Sequence, residues 1–310
     1  MSSHTINKPG VIPPVPTLFD SEGNFDRNRM STLIDYLISK GVHAMLFLGT
    51  IGEFSQMDVS QRMQIAEFCI THTRNRVPVW IGTGSNSTLE AIQLTKHAEQ
   101  NGADGVIIIN PYYIKLGEKT LFQHYADILE QSGLPVFLYN FPALTGQDLS
   151  PEFVRSLAAR YPQVVGIKDT VDQLSHIREM IQQVKEVRPD FAVYAGFDEY
   201  LLATLAAGGD GAIAASASFA PELMLGVYNG FRNGDLAGML AFHHRLLSIP
   251  KIYPLVSPFI KAVKEAIQLT AVPISTYCLA PAAPWEEDKA LHLREILTEA
   301  NLAVRRSAIE

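Results

Sequence analysis

Cysteine is scarce in this chain, whose 310 residues include Cys69 and Cys278 and no other cysteine. Two cysteines so far apart in sequence give no framework of disulfides or metal ligands. We also expect no signal peptide, and no apolar run approaches the ~18 residues that a membrane-spanning helix needs. We therefore expect a cytoplasmic protein with no membrane partner.

Positive charge is also in short supply, with 25 lysine and arginine residues against 32 aspartate and glutamate residues. The formal net charge is −7, the sequence pI is about 5.7, and no basic face is evident, which argues against nucleic acid as a partner. The net charge does not exclude a small acidic substrate, because the local electrostatic field of a site can oppose it. Hydrophobic residues make up 47% of the chain and charged residues 18%, as expected for a globular protein with a large core.

Apolar, strand-like runs recur along the chain, and helix-like segments separate them. Residues 26–40, for example, place Met30, Leu33, Ile34 and Leu37 at helical spacing. Eight alternating units of this kind predict an α/β fold, a (β/α)8 TIM barrel, with strands buried on both faces. An open doubly wound sheet is the alternative, but no Gly-x-Gly-x-x-Gly motif follows a strand. The strand-like runs cover residues 11–19, 43–49, 77–82, 105–110, 135–140, 164–168, 191–195 and 211–215.

The pattern changes after residue 220, where helical segments follow one another without strands between them. They cover residues 221–233, 235–248, 256–269 and 287–304. The first of these segments would complete the barrel, and the others are surplus to it. We therefore predict a barrel over residues 1–233, preceded by a loose polar tail, and a C-terminal helical extension over residues 234–310.

A lysine ends one of the apolar runs. Val164–Ile167 is short, β-branched and strand-like, and Lys168 follows it directly. A buried lysine is costly, so this position needs a reason. A functional reason is an amine that is neutral often enough to attack a carbonyl and form a Schiff base. A structural reason is a lysine that reaches the rim or pairs with Asp169.

The other strand ends decide between these interpretations, because catalytic groups of such barrels come from the C-terminal ends of the strands. Tyr139 ends the neighbouring strand, and its phenol suits the proton transfers of Schiff-base chemistry. Thr50 can relay that proton, and backbone amides of the turn over residues 49–52 can hold a carboxylate. Together these groups favour a functional Lys168. Residues at the remaining strand ends include Tyr112, Tyr113, Gly196, Phe197, Asp198 and Ser216.

Metal chemistry finds little support, so we expect no metal site. A metal-dependent aldolase needs histidines or carboxylates that converge at the barrel mouth. Six of the nine histidines fall instead within or beside helix-like stretches, at positions 72, 97, 124, 176, 243 and 244.

At these residues the chain resembles a known family, the pyruvate-dependent class I aldolases of the dihydrodipicolinate synthase and N-acetylneuraminate lyase type. The resemblance runs from about residue 8 to 304. It implies Lys168 as the Schiff-base lysine, Tyr139 as proton donor and acceptor, and Thr50 and Tyr113 as a relay, with Tyr113 reaching in from a neighbouring subunit. It also implies a homotetramer built as a dimer of dimers and no cofactor. The motifs are residues 49–53, 110–113, 139–142 and 166–169.

Two departures from the family pattern separate its branches. Dihydrodipicolinate synthases usually place an arginine where this chain has Leu144, and leucine cannot replace a bidentate carboxylate clamp. In the turn over residues 49–52, the family commonly has two hydroxyl-bearing residues, and this chain has Ile51 in place of the second. Residues 138–149 and 53–56 are most similar to the bacterial 2-keto-3-deoxygluconate and 2-keto-3-deoxypentonate aldolases. Residues 142–144 are also similar to the sialic acid lyases, which keeps an N-acetylneuraminate lyase as the alternative.

The sequence thus predicts an enzyme that reversibly cleaves a 2-keto-3-deoxy sugar acid to pyruvate and a neutral hydroxyaldehyde. Amides of Thr50 and Ile51 would hold the carboxylate. A dehydratase that uses the same Schiff base is a second alternative, and a non-catalytic barrel that binds keto acids is a third. Candidates for contacts to the rest of the substrate are Gly196, Phe197, Asp198, Ser216, Leu144 and Thr145.

Overall fold

The computed structural model describes residues 10–282 and 284–305, so the predicted polar tail over residues 1–9 lies outside the described part. Eight parallel strands pair in the order β1-β8-β7-β6-β5-β4-β3-β2. A parallel bridge between Pro14 and Leu46 joins the first segment to β2 and closes the sheet. The predicted (β/α)8 barrel is therefore confirmed. The strands are β1 Gly10–Val11, β2 Met45–Phe47, β3 Val79–Gly82, β4 Gly105–Ile109, β5 Val136–Asn140, β6 Val164–Asp169, β7 Ala192–Ala195 and β8 Gly211–Ala212.

Helices follow the strands and surround the sheet. Their starts carry the expected signals, such as the capping box between Asp58 and Gln61 and the Ser150 cap that precedes Pro151. The helices are α1 Arg27–Ser39, α2 Val59–Thr73, α3 Thr88–Gln100, α4 Glu118–Leu129, α5 Pro142–Thr145, α6 Pro151–Arg160, α7 Leu174–Val187, α8 Leu201–Ala206, α9 Pro221–Asn233, α10 Leu236–Leu246, α11 Ile260–Thr270 and α12 Glu287–Glu299.

Several element boundaries differ from the sequence-based ones. The first predicted run, 11–19, forms only the two-residue β1, because its three prolines cannot donate ladder hydrogen bonds. The last run, 211–215, is also a two-residue strand, and a 3-10 turn follows it at Ala215–Ser218. The helix predicted over 256–269 begins only at Ile260, after a separate 3-10 helix at Ile249–Leu255.

Large aromatic side chains from alternate strands fill the barrel interior. Trp80 of β3 stacks on Phe137 of β5 with ring centroids 3.9 Å apart, and Tyr194 of β7 contacts both rings. This is the packing expected inside such a barrel, where the side chains of one interior layer come from alternate strands. A Cβ atom at Gly166 would lie 2.7 Å from the Phe137 ring, so glycine leaves room for this layer. Lys168 lies two residues beyond Gly166 on the same face of β6, which places it above the aromatic layer.

The C-terminal helices share the hydrophobic core with the barrel. Leu293 and Leu297 of α12 are fully buried within the same cluster as the strand residues. The division at residues 233 and 234 stays a prediction. No helix in the described ranges is long and apolar enough to cross a membrane.

Candidate active site

A cavity of about 180 Å³ opens at the C-terminal ends of the strands. Its walls hold seven of the residues that the sequence singled out: Thr50, Ile51, Tyr139, Lys168, Gly196, Phe197 and Asp198. The other lining residues are Pro14, Phe141, Thr170, Ala215, Tyr253 and Phe259. Lys168 is therefore the one cationic side chain in this lining, and most of the remaining surface is apolar or aromatic.

Lys168, Tyr139 and Thr50 form a hydrogen-bonded line in the cavity. Lys168 and Tyr139 are paired across β6 and β5, and the Lys168 amine donates to the Tyr139 hydroxyl at 3.2 Å. That hydroxyl lies 3.1 Å from the Thr50 hydroxyl. Lys168 is only 5% exposed, and its amine also lies 4.2 Å from the centre of the Tyr139 ring. The line can carry a proton between the amine and the wall of the cavity.

Asp169 does not pair with Lys168, so an ion pair between the two does not explain the buried lysine. Its carboxylate faces away from the cavity and interacts with Asn140 and His176. A buried amine beside a phenol, with a cavity in front of it, is the arrangement that imine formation needs.

The turn after β2 presents two backbone amides. Thr50–Gly52 forms a 3-10 turn in which Gly52 donates to Gly49 and Glu53 donates to Thr50. Within the described part of the chain, the amides of Thr50 and Ile51 have no acceptor. Successive free amides at such a turn suit an anion, so a substrate carboxylate fits here.

A buried ion pair, which the sequence did not predict, holds this turn in place. Glu53 and Lys264 are both at most 1% exposed, and the lysine donates to the carboxylate. Lys264 also donates to the Tyr277 carbonyl at 2.7 Å, and Glu53 accepts from the Leu279 amide at 2.7 Å. The turn is thereby tied to α11 and to the segment that follows it.

Loss of this ion pair is expected to destabilise the protein strongly. Glu53→Gln leaves the Lys264 ammonium buried without a counter-charge, which costs about 3–5 kcal/mol of the free energy of unfolding. Urea unfolding followed by circular dichroism measures the change. Glu186→Gln is the matched control, because Glu186 pairs with Arg155 on the surface, and its loss should cost less than about 1 kcal/mol. Equal midpoints for the two variants would contradict the structural role of the pair.

Asp198 is buried in the wall and accepts hydrogen bonds from the protein itself. The Ser216 amide donates to one carboxyl oxygen at 2.9 Å, and the Tyr253 hydroxyl donates to the other. Burial raises the pKa of Asp198, although these hydrogen bonds act in the opposite direction and lower it. The pKa of Tyr253 is also raised, first by burial and then by the negative charge of Asp198. Ser216 is fully buried beside Asp198. The predicted substrate contacts of Asp198 and Ser216 stay predictions.

Besides Ser216, three further candidates do not line the cavity. Leu144 is 54% exposed on α5, and Thr145 is buried with its hydroxyl donating to the carbonyls of Phe141 and Gln147. Tyr113 is 94% exposed, has a φ of +79° and borders a separate surface pocket that includes Ile114. A single chain does not bring these residues to Lys168.

The sequence missed several residues of the wall. Phe141 and Thr170 each lie two residues beyond Tyr139 or Lys168, so their positions at strand ends were a usable signal. Tyr253 and Phe259 reach the cavity from the segment between α10 and α11, and nothing in their local sequence indicates it. No group of three or more His, Cys, Asp or Glu residues in the described ranges is placed to hold a metal ion.

A (β/α)8 barrel with a buried lysine, a phenol and free amides at one mouth has the architecture of an enzyme. The model of the dihydrodipicolinate synthetase family matches residues 7–300. The chain belongs to this family, and it is an enzyme, a lyase of the family, as the sequence predicts.

Two relatives from Escherichia coli K12 are similar over most of their length. One is the probable 2-dehydro-3-deoxy-D-pentonate aldolase YjhH, 48% identical over 289 residues, which cover 93% of this chain and 96% of the relative. The other is the putative 2-dehydro-3-deoxy-D-gluconate aldolase YagE, 46% identical over 293 residues, covering 94% and 97%. A crystal structure of YagE in complex with pyruvate superposes with a TM-score of 0.94 and covers 95% of this chain and 99% of that one. The predicted similarity to sugar-acid aldolases of this family is confirmed.

Proposed function

We propose that the protein is a Schiff-base aldolase that reversibly cleaves a 2-keto-3-deoxy sugar acid to pyruvate and a neutral hydroxyaldehyde. The observation that carries this proposal is the hydrogen-bonded line from Lys168 through Tyr139 to Thr50 in a largely apolar cavity. The names of the two relatives and the pyruvate bound to YagE support it.

The proposed reaction begins when the Lys168 amine attacks the C2 ketone and forms a carbinolamine. Loss of water gives a protonated imine, and Tyr139 and Thr50 transfer the protons of these steps. Tyr139 then takes the proton of the C4 hydroxyl while the C3–C4 bond breaks, and the electron pair of that bond moves into the protonated imine to give an enamine. The resulting enamine is protonated at C3, and water releases pyruvate and the free lysine.

The free amides of Thr50 and Ile51 would hold the carboxylate of the keto acid and so direct its ketone toward Lys168. The rest of the chain of the substrate would extend toward Gly196, Phe197, Asp198 and Ser216. A Cβ atom at Gly196 would collide with Thr170, so this side of the site depends on glycine. No metal or cofactor takes part in the proposed reaction.

We also propose a cytoplasmic homotetramer, built as a dimer of dimers. The exposed side chains of Tyr113, Ile114 and Leu89 are 94%, 67% and 78% accessible in the single chain, which suits an interface with a second copy. In that assembly Tyr113 would reach the neighbouring site and extend the relay of Tyr139 and Thr50.

The cavity predicts a preference for neutral aldehydes in the condensation direction. An aldehyde with its own carboxylate needs a second cation, and the described lining has only Lys168, which the imine uses. An unpaired carboxylate buried there would cost several kcal/mol. We expect glyceraldehyde or glycolaldehyde to condense with pyruvate, and kcat/KM for aspartate semialdehyde to be lower by at least about 100-fold.

Leu144→Arg tests the same idea from the protein side. It adds a cation on α5, three residues beyond Phe141 of the cavity wall, and should raise turnover of aspartate semialdehyde relative to glyceraldehyde. Leu236→Arg is the control, because it adds the same charge to an exposed leucine on α10. Wild-type turnover of aspartate semialdehyde at or above that of glyceraldehyde would overturn the proposed substrate class. Product analysis on a panel of keto-deoxy acids, including N-acetylneuraminate, separates the aldolase from the dehydratase and sialic acid lyase alternatives.

A further inference from the structure

Two polar residues stand directly behind the reactive pair, on the outer side of the barrel. Asn140 follows Tyr139, Asp169 follows Lys168, and the two are paired in register across β5 and β6. Because successive strand residues point to opposite faces, they face the helices and not the cavity. Both are completely buried, so their polar groups require partners inside the protein.

Asn140 connects both strands to the loop that ends the α5 segment. Its amide donates to Asp148 at 2.8 Å and to Asp169 at 3.0 Å, and its carbonyl accepts from the Leu149 amide at 3.0 Å. The ends of β5 and β6 are thereby joined to the segment over residues 141–148, which also carries Phe141 of the cavity wall.

His176, in the first turn of α7, completes the cluster. One ring nitrogen lies 2.8 Å from the Asp169 carboxylate and the other lies 3.2 Å from Asp148. Neither carboxylate can donate, so the ring donates with both N–H groups as an imidazolium. Burial lowers the pKa of His176, but the hydrogen bonds and charges of Asp148 and Asp169 outweigh it and raise the pKa to about 10. In the described part of the chain, these two carboxylates are the charged groups that face the ring.

The charge of His176 matters for the adjacent reactive site. Without it, Asp169 would be a buried carboxylate with no counter-charge, one residue from Lys168. Such a charge favours the ammonium form of a nearby amine over the neutral form that attacks a carbonyl. The imidazolium offsets this charge while its two hydrogen bonds fix α7 and the loop against the strand ends.

We propose that Asp148 and His176, acting through Asn140 and Asp169, are positioning residues for the reaction of Lys168. We refer to these four residues as the clamp. The inference rests on the proposed Schiff-base function and adds two roles to it. The clamp keeps the ends of β5 and β6 aligned, and it balances the charge behind the reactive amine.

Two variants with opposite charge effects test the clamp. The readout is the rate at which borohydride and pyruvate label the full-length protein, measured across pH. His176→Gln removes a positive charge, so the pH of half-maximal labelling should rise by about 0.5–1 unit. Asp148→Asn removes a negative charge, so this pH should fall. In cleavage assays, His176→Gln should lower kcat by about tenfold with little change in KM.

The double variant and a distant histidine supply the controls. Asp169→Asn added to His176→Gln removes both charges and should return the labelling profile toward that of the wild type. His72→Gln breaks a similar histidine–carboxylate pair, with Asp35 at 3.0 Å, on the α1–α2 surface, and should leave the profile unchanged. Asp148 is 43% exposed, so its variant tests the inference even where His176→Gln folds poorly.

The outcomes separate this inference from the proposed function. Wild-type labelling with profile shifts of opposite sign supports the clamp. Normal wild-type labelling with coincident profiles in all variants, whatever happens to thermal stability, overturns the clamp and leaves the proposed function intact. Absence of wild-type labelling overturns both.

Discussion

Lys168→Arg is expected to abolish cleavage and condensation, with activity falling to the background of the assay. The guanidinium of arginine stays protonated at any pH at which the protein is folded, so it cannot attack a ketone and form the imine. Arginine can still donate to the Tyr139 hydroxyl, to which Lys168 donates at 3.2 Å, so the fold should survive. Initial rates on a keto-deoxy acid, together with a circular dichroism spectrum, measure both effects.

The same variant identifies the reactive amine. Borohydride plus pyruvate should add a single three-carbon unit to the wild type, located at Lys168 by peptide mass spectrometry, and nothing to the variant. Lys251→Arg is the matched control, because Lys251 forms an exposed ion pair with Glu299 and should be labelled and active like the wild type. A label on another lysine, or an active Lys168→Arg protein, would contradict the proposed mechanism.

Local sequence pattern accounts for much of the barrel. α9 covers Pro221–Asn233, as predicted, because proline at the first helical position and the left-handed Gly234 at the end mark both boundaries. The pairing of Tyr139 with Lys168 also follows from sequence, since consecutive strands of a barrel are neighbours. The site could thus be assembled from strand order alone, for those residues that end strands.

Contacts between segments that are distant in sequence could not be predicted from strand order or local pattern. Glu53 and Lys264 are 211 residues apart, and Lys264 reads as one more position of an amphipathic helix. Tyr253 likewise reaches the cavity from a 3-10 helix, within the segment that the sequence assigned to a C-terminal helical extension. Such contacts depend on how the C-terminal helices fold back over the mouth, and local periodicity contains no information about that path.

Leu144 shows a second limit of prediction from sequence, since its place in the chain was predicted but the direction of its side chain was not. It lies in the loop after β5, as expected, but α5 turns there and leaves the side chain 54% exposed in the single chain. A four-residue helix produces no periodic signal, so the direction of its side chains was not predictable. The preference for neutral aldehydes therefore rests on the whole lining, with Lys168 as its one cation, more than on this residue.

Tyr139→Phe is expected to lower kcat by about 10²–10⁴-fold, which is the usual contribution of a general acid–base group. The change removes the hydroxyl that connects the Lys168 amine to Thr50 but keeps the ring, over which the amine lies at 4.2 Å. Binding of the keto acid should be little affected, because its carboxylate would contact the amides of Thr50 and Ile51. Steady-state kinetics should therefore show a fall in kcat with KM within a few-fold of the wild type.

Labelling and a matched tyrosine complete the test of Tyr139. The variant should still be labelled at Lys168 by borohydride and pyruvate, but slowly, because imine formation loses its proton relay while the amine remains. Tyr161→Phe removes a hydroxyl that donates to Glu130 at 3.1 Å, at the end of α6 and away from the cavity, and should leave kcat unchanged. A Tyr139→Phe protein with a wild-type kcat would show that another group moves the proton, and the proposed relay through Thr50 would then be wrong.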